Sequence, residues 1–213
     1  MGICVDWDRF AFTMDDVRYK CVIEGFCRMY ESGMIYRDTR LVHWCSELRT
    51  AISDLEVEYI DLTEPKKRKV PGHDPNKLYE FGYLTEFAYK VKGTKKEIIV
   101  ATTRLETMLG DTAVAVHPDD PRYKDIVGKE LEHPFDPDRK MTVITDSELV
   151  DMNFGTGAVK ITPAHDPNDY QCGKRHKLQF INILNENGSI NHVGGKFEGM
   201  MRFDAREAVA KAL

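Results

Sequence analysis

Five short apolar runs follow one another through the middle of the chain: "YLTEFAYKV", "EIIVATT", "TAVAVHP", "MTVITD" and "GAVKIT". Each is rich in β-branched or aromatic residues, and Pro and Gly turns separate them, as expected of strands rather than helices. Many short strands with few long helices predict a mainly β fold with α decorations (α+β): a closed or nearly closed β-barrel-like sheet.

Three segments predict helices. "FTMDDVRYKCVIEGFCRMYESGM" opens with Thr13 and Asp16 at capping-box spacing. It continues with an apolar stripe of Val17, Cys21, Val22, Phe26, Met29 and Tyr30. "DPNDYQCGKRHKL" and "DAREAVAKAL" are the other two. "DLEVEYIDL" alternates and predicts a half-buried strand with Leu55, Val57 and Tyr59 inward. "TEPKKRKVPGHDPNK" reads as a solvated loop with a basic run from Lys66 to Lys69. Composition breaks near residue 50. Residues 1–47 are therefore expected to form a helical lead-in with an extended arm, and 48–213 the β-rich domain.

The totals narrow the function classes. With 213 residues and a net charge of -5, any nucleic-acid contact has to come from local basic patches. Five cysteines, an odd number with no C-x-x-C pair, suit reduced thiols and a cytoplasmic setting. No apolar run reaches the ~20 residues of a membrane span, and no leader pattern opens the chain. No Cys or His set has metal-ligand spacing, so no metal is expected, and no oligomer is required.

The chemistry concentrates in two segments. In "FGTGAVKITPAHDPNDYQCGKRH", Lys160 sits mid-strand and shares a face with Thr162. A lysine there needs a partner or a wet cavity, and Asp166 and Asp169 just beyond the strand are the natural partners. A buried structural ion pair is the alternative. Asp166, Pro167 and Asp169 also make a well-formed helix start, so capping alone accounts for Asp166, whereas Asp169 can equally point into a cleft. Phe154 is either core or a base-stacking platform. In "VATTRLETMLGDTAVAVHP", Thr102, Thr103, Arg104, Glu106 and Thr107 crowd a turn between strands. That is either a solvated turn or a hydrogen-bonding wall for a small polar ligand. No serine elbow is present.

These two segments resemble the editing domain of the valyl-tRNA synthetases. "DWDRFAFTMD", "IYRDTRLVHW" and "TAISDLEVEY" resemble the stretch that leads into it from the synthetase core. Leu105 stands where the family often has proline. The resemblance implies a barrel-like fold and hydrolysis of threonine mis-attached to valine tRNA, by water attack without a covalent intermediate. Such a second site is needed because an apolar pocket separates threonine from valine by only about a hundredfold, a limit for which this family is itself the standard example. The resemblance further implies that Asp169 holds the α-ammonium and that Phe154 packs on the terminal adenosine. Lys160, Thr162 and Asp166 approach the hydroxyl or the water, and Thr102, Thr103, Arg104, Glu106 and Thr107 supply the wall. Lys174, Arg175 and Lys177 would meet acceptor phosphates. The partners implied are misacylated valine tRNA and the remainder of a synthetase. No cofactor is expected, ATP serving only the synthetic domain, whose HIGH and KMSKS signatures this chain lacks. A non-catalytic acceptor-end binding module and an isoleucyl- or leucyl-type editing domain are the alternatives.

Overall fold

The structure, a computed structural model, describes residues 2–213. It divides into two compact units, Met1–Arg40 and Leu41–Leu213. The break falls after Arg40 rather than after residue 47, which lies inside a hairpin.

The first unit is built on helix α1 (Asp16–Glu31). Its N-cap is Asp15, not Thr13: one carboxylate oxygen accepts from the backbone N–H groups of Val17 and Arg18 at 3.2 and 2.7 Å. Asp is at least as good a cap as Thr, and here the carboxylate also pairs with the Arg18 guanidinium. The apolar stripe has helical spacing, but no residue of α1 is buried.

The second unit begins with two small hairpins. Strand β1 (His43–Cys45) pairs with β2 (Thr50–Ile52), and β3 (Lys66–Arg68) with β4 (Tyr79–Phe81). The basic run is therefore a strand, not a loop, and Lys67 faces Glu80 in register, 3.1 Å apart. "DLEVEYIDL" forms no strand. Ser53 and Glu56 make a capping box around a 3₁₀ turn at Asp54–Glu56, which consumes the backbone groups a strand would pair. Leu55 is left 96% exposed.

The principal sheet has six strands: β5 (Thr85–Val91), β6 (Glu97–Thr102), β7 (Ala113–Val116), β8 (Glu130–Glu132), β9 (Met141–Thr145) and β10 (Ala158–Ile161). Their order is β10-β7-β9-β8-β5-β6, antiparallel except for the parallel β7–β9 pair. The two outer strands, β10 and β6, approach one another, so the sheet is nearly closed. The fold is mainly β with helices. Strand β7 shows why its sequence alternates Ala and Val. Val114 and Val116 fill the main core with Tyr89, Ile98, Leu131 and Met141, while Ala113 and Ala115 pack on the other face against Ile161 and Cys172. Small residues on that outer face let helix α2 (Pro167–His176) lie close to the sheet.

Helix α2 starts as its sequence dictates. Asp166 caps it, accepting from Asn168 and Asp169 N–H at 2.8 and 3.2 Å, and Pro167 takes the first position. It stops at Lys177, in the left-handed region at φ 53°. Helix α3 (Arg202–Ala212) ends the chain. Tyr79 and Lys77 anchor it by donating to Asp204 at 3.1 and 2.7 Å.

Candidate active site

A cleft of about 310 Å³ opens where the outer strands of the sheet approach. The end of β6 contributes Thr102, Thr103 and Arg104. Strand β10 contributes Lys160 and Thr162, and the start of α2 contributes Asp166, Asn168 and Asp169. Thr107 and His165 complete the polar lining, with Leu84, Ala101, Leu149 and Val159 as apolar walls.

Lys160 is buried, and its ammonium is fully engaged. It donates to Thr107 Oγ1 at 2.8 Å, Asp111 Oδ1 at 3.0 Å and Thr162 Oγ1 at 2.5 Å, using all three N–H groups. The partner carboxylate is thus Asp111, not Asp166 or Asp169. Asp111 also accepts from the Thr162 hydroxyl and, at 2.7 Å, from Tyr89 OH in the core. This closed network is what allows a charged pair to be buried at all. Asp111 precedes β7, and β7 pairs directly with β10, with Lys160 opposite Val114. That register brings the acid to the lysine across 49 residues.

Asp169 is buried in the first turn of α2 and lines the cleft. One of its oxygens accepts from Thr162 N–H at 2.8 Å. Burial raises its pKa to about 6, against the opposing pull of the Lys160 ammonium and that hydrogen bond. Asp166 is the helix cap and also reaches the cleft.

The turn after β6 is a 3₁₀ helix, Leu105–Gly110. In such a turn residues three apart share a side. Arg104 and Thr107 accordingly both line the cleft, tied by a 2.8 Å bond from Thr107 Oγ1 to the Arg104 carbonyl. Glu106 points the other way, and the structure does not bring it to the wall. It is fully buried, gripped in bidentate fashion by Arg206 of α3 at 2.7 and 3.0 Å, with Arg202 at 3.3 Å. Burial pushes its pKa up, but the two guanidiniums hold it below the ordinary value. The nearby Arg202 is driven down to about 10 by burial.

Phe154 is neither core nor cleft lining. It stands 78% exposed on the turn before β10. Downstream, Gly157 adopts φ 71°, and a Cβ there would collide with the Arg122 guanidinium that Asp120 and the Met152 carbonyl hold. Of the three cations placed at the end of α2, Arg175 is committed to Asp146 at 2.7 Å and Glu148 at 3.0 Å. The Lys174 ammonium lies 5.1 Å from the Tyr170 ring centre, and Lys177 forms the left-handed cap.

Asp146, Cys172 and His176 bring three potential metal ligands within 4.8 Å of one another. The same Asp146 oxygen already accepts from Arg175 at 2.7 Å and meets His176 Nε2 at 3.0 Å, so a guanidinium holds the place of a cation. Burial opposes ionisation of Asp146, but these partners hold its pKa at about 2. Burial and the same carboxylate push the Cys172 thiol up to about 12, far from a reactive thiolate.

Site roles for His165 and Asn168, which line the cleft, and for Asp111, the buried partner of Lys160, do not follow from residue-by-residue reading. The sequence signal for Asp111 was an acid set against the doubly buried run "TAVAV". For His165 it was a histidine between a strand end and a helix cap.

A family model described as "tRNA synthetases class I (I, L, M and V)" matches residues 1–178. The chain belongs to this class I tRNA synthetase family. This synthetase segment is 61% identical, over all of its length, to 19% of the valine–tRNA ligase "mitochondrial 1" of Arabidopsis thaliana. It is 56% identical over its whole length to 20% of the valine–tRNA ligase of Caenorhabditis elegans, and 52% identical to 17% of the human one. It thus spans about a fifth of the length of the curated relatives it matches. Mitochondrial relatives are among them, so similarity does not assign the compartment, and no helix among the described residues is long and apolar enough to cross a membrane. Among solved structures, a LeuRS–tRNA–LeuAMS ternary complex of Agrobacterium radiobacter K84 overlaps 92% of the segment and 31% of that chain, at a TM-score of 0.47 and 17% identity. The structure titled GlLeuRS-CP1 overlaps 57% of the segment and 81% of that chain, at a TM-score of 0.43 and 16% identity.

Proposed function

We propose that this segment is the editing hydrolase of a valyl-tRNA synthetase and cleaves the ester joining threonine to the terminal adenosine of valine tRNA. The observation that carries the reading is one cleft holding a desolvated carboxylate, Asp169, beside the Lys160–Thr107–Thr162 hydroxyl network. An aminoacyl ester presents an ammonium, an ester carbonyl and, for threonine, a side-chain hydroxyl. Asp169 pairs with the ammonium, and because it is already desolvated the charge-assisted bond gains most there. The threonyl hydroxyl pairs with a polar group of the cleft, whereas valine leaves that group unpaired at a cost of roughly 1–3 kcal/mol.

Chemistry then needs only a placed water. Its oxygen bonds to the carbonyl carbon, the bond to the ribose oxygen breaks, and the water's proton ends on that oxygen, yielding threonine and free tRNA. The ammonium of Lys160 lies beside the cleft and favours the oxyanion as it develops. Holding water and ester together supplies the rest of the acceleration. A covalent route finds no support, since the one buried thiol, Cys172, is not among the cleft residues and is strongly protonated. Phe154, exposed on its turn, is free to stack on the adenine. Lys66 and Lys177 are exposed cations suited to acceptor phosphates.

The test is the rate of threonine release from threonyl-tRNA specific for valine, set beside valyl-tRNA, for the wild type, Asp169→Ala and Lys160→Ala. Selective release that both substitutions abolish supports the reading. Tight binding of the tRNA without release identifies an acceptor-end binding module instead.

A further inference from the structure

His165 lines the cleft, yet no step above uses it. Its ring is fixed from behind: Nε2 accepts a hydrogen bond from the Ile183 backbone N–H at 3.0 Å. A nitrogen that accepts from an amide carries no proton, so in the neutral ring the proton is on Nδ1. Nδ1 has no hydrogen-bond partner among the described residues, and it is not among the enclosed polar atoms left without one. His165 is half-buried and lines the cleft, and Nδ1, unlike Nε2, has no protein partner. Its own backbone is pinned as well, the carbonyl accepting from Arg104 Nη1 at 2.6 Å and the N–H donating to Thr162 O at 3.0 Å.

The other polar groups around the cleft are largely spent. Lys160 has no N–H left over. Asp166 caps α2, and Asp169 offers only acceptors. Thr107 and Thr162 already donate to the Arg104 carbonyl and to Asp111. Arg104 Nε also lacks a partner but is enclosed, and Thr103 and Asn168 are exposed. His165 Nδ1 is thus the cleft N–H donor on a ring that is already held in place from behind.

We propose that His165 is a specificity-determining residue, which donates from Nδ1 to the side-chain hydroxyl oxygen of the bound amino acid. The inference rests on the editing reading and extends it by naming the atom that reads the hydroxyl. The charges facing the ring keep it a donor of fixed tautomer rather than a cation. Burial, with Arg104, Lys160 and Arg202 nearby and Glu106 opposing, lowers its pKa to about 4. A valyl group would set a methyl against this N–H and leave it unpaired.

The test uses two non-hydrolysable probes, 3′-deoxy-3′-threonylamino-adenosine and its valyl counterpart, binding to the 213-residue chain. His165→Gln places an acceptor at the Nε2 position and keeps the Ile183 contact but presents nothing at Nδ1. His165→Asn does the reverse. The expected result is a preference for the threonyl probe that falls about tenfold or more in the glutamine variant and is partly kept in the asparagine variant. In the wild type, ¹⁵N NMR of the ring should show a protonated Nδ1 that shifts with the threonyl probe and not with the valyl one. That spectrum decides the matter even where a variant folds poorly. An unchanged preference in His165→Gln, or an equal loss for both probes, overturns the inference and leaves the editing reading standing. If the wild type binds neither probe, the editing reading falls first.

Discussion

Lys160 and Asp111, 49 residues apart in sequence, form a 3.0 Å ion pair buried at the seam of the sheet. The pair serves two ends that mutation can separate. Removing either partner alone leaves a buried charge and should cost about 3–5 kcal/mol. Lys160→Met combined with Asp111→Asn should recover much of that loss in a urea melt, yet remain inactive in ester cleavage. A double variant that regains activity would show that the lysine is structural only.

Asp169 predicts a pH signature. Its folded pKa of about 6 lies above the ordinary value of 3.8, so it binds its proton more tightly when folded. Its favourable contribution is complete below about pH 3.8 and is lost as pH rises through about 6. At pH 7.5 the buried carboxylate therefore weakens the fold by up to about 3 kcal/mol. Asp169→Asn should melt higher than the wild type at pH 7.5, with the gap closing toward pH 4. Ester cleavage should follow the opposite trend, rising as Asp169 ionises. Equal melting temperatures at both pH values would contradict this.

Gly173 provides a way to move the site without touching it. A Cβ there would sit 2.8 Å from Pro163 Cβ and 2.9 Å from its Cγ. Gly173→Ala should push α2 off the turn that follows β10, costing about 1–3 kcal/mol. Because Asp169 rides on the first turn of that helix, threonyl-ester cleavage should fall well beyond the stability loss. Retained activity with lowered stability would mean that the helix adjusts elsewhere.

Thiol chemistry should sort the five cysteines. Cys4, Cys21 and Cys27 are exposed, Cys45 is partly covered and Cys172 is buried with its thiol pushed up to about 12. Labelling with a thiol reagent at pH 8 should be fast for three sites, slower for Cys45, and silent at Cys172 until the chain unfolds.

The strands were legible because alternation and β-branching are local, as was the start of α2, where Asp-Pro-x-Asp writes its own cap. The cleft side of Lys160, Thr162 and Asp169 followed from these. What sequence withheld was set by pairings between distant residues. Asp111 meets Lys160 only through the β7–β10 register. Glu106 was assigned to the ligand wall because its neighbours belong there, but three residues per turn swing it to the far side. Leu55 had the spacing of a strand and lost it to a local capping box between Ser53 and Glu56.

The clamp of Arg206 on Glu106 links chain positions 100 residues apart. On a ribosome adding roughly 5–20 residues per second, the acid waits about 5–20 s for its guanidinium. Until then the turn carrying Arg104 and Thr107 holds an unneutralised carboxylate that water must solvate. The wall of the cleft is thus set only once α3, 100 residues further along the chain, has left the tunnel.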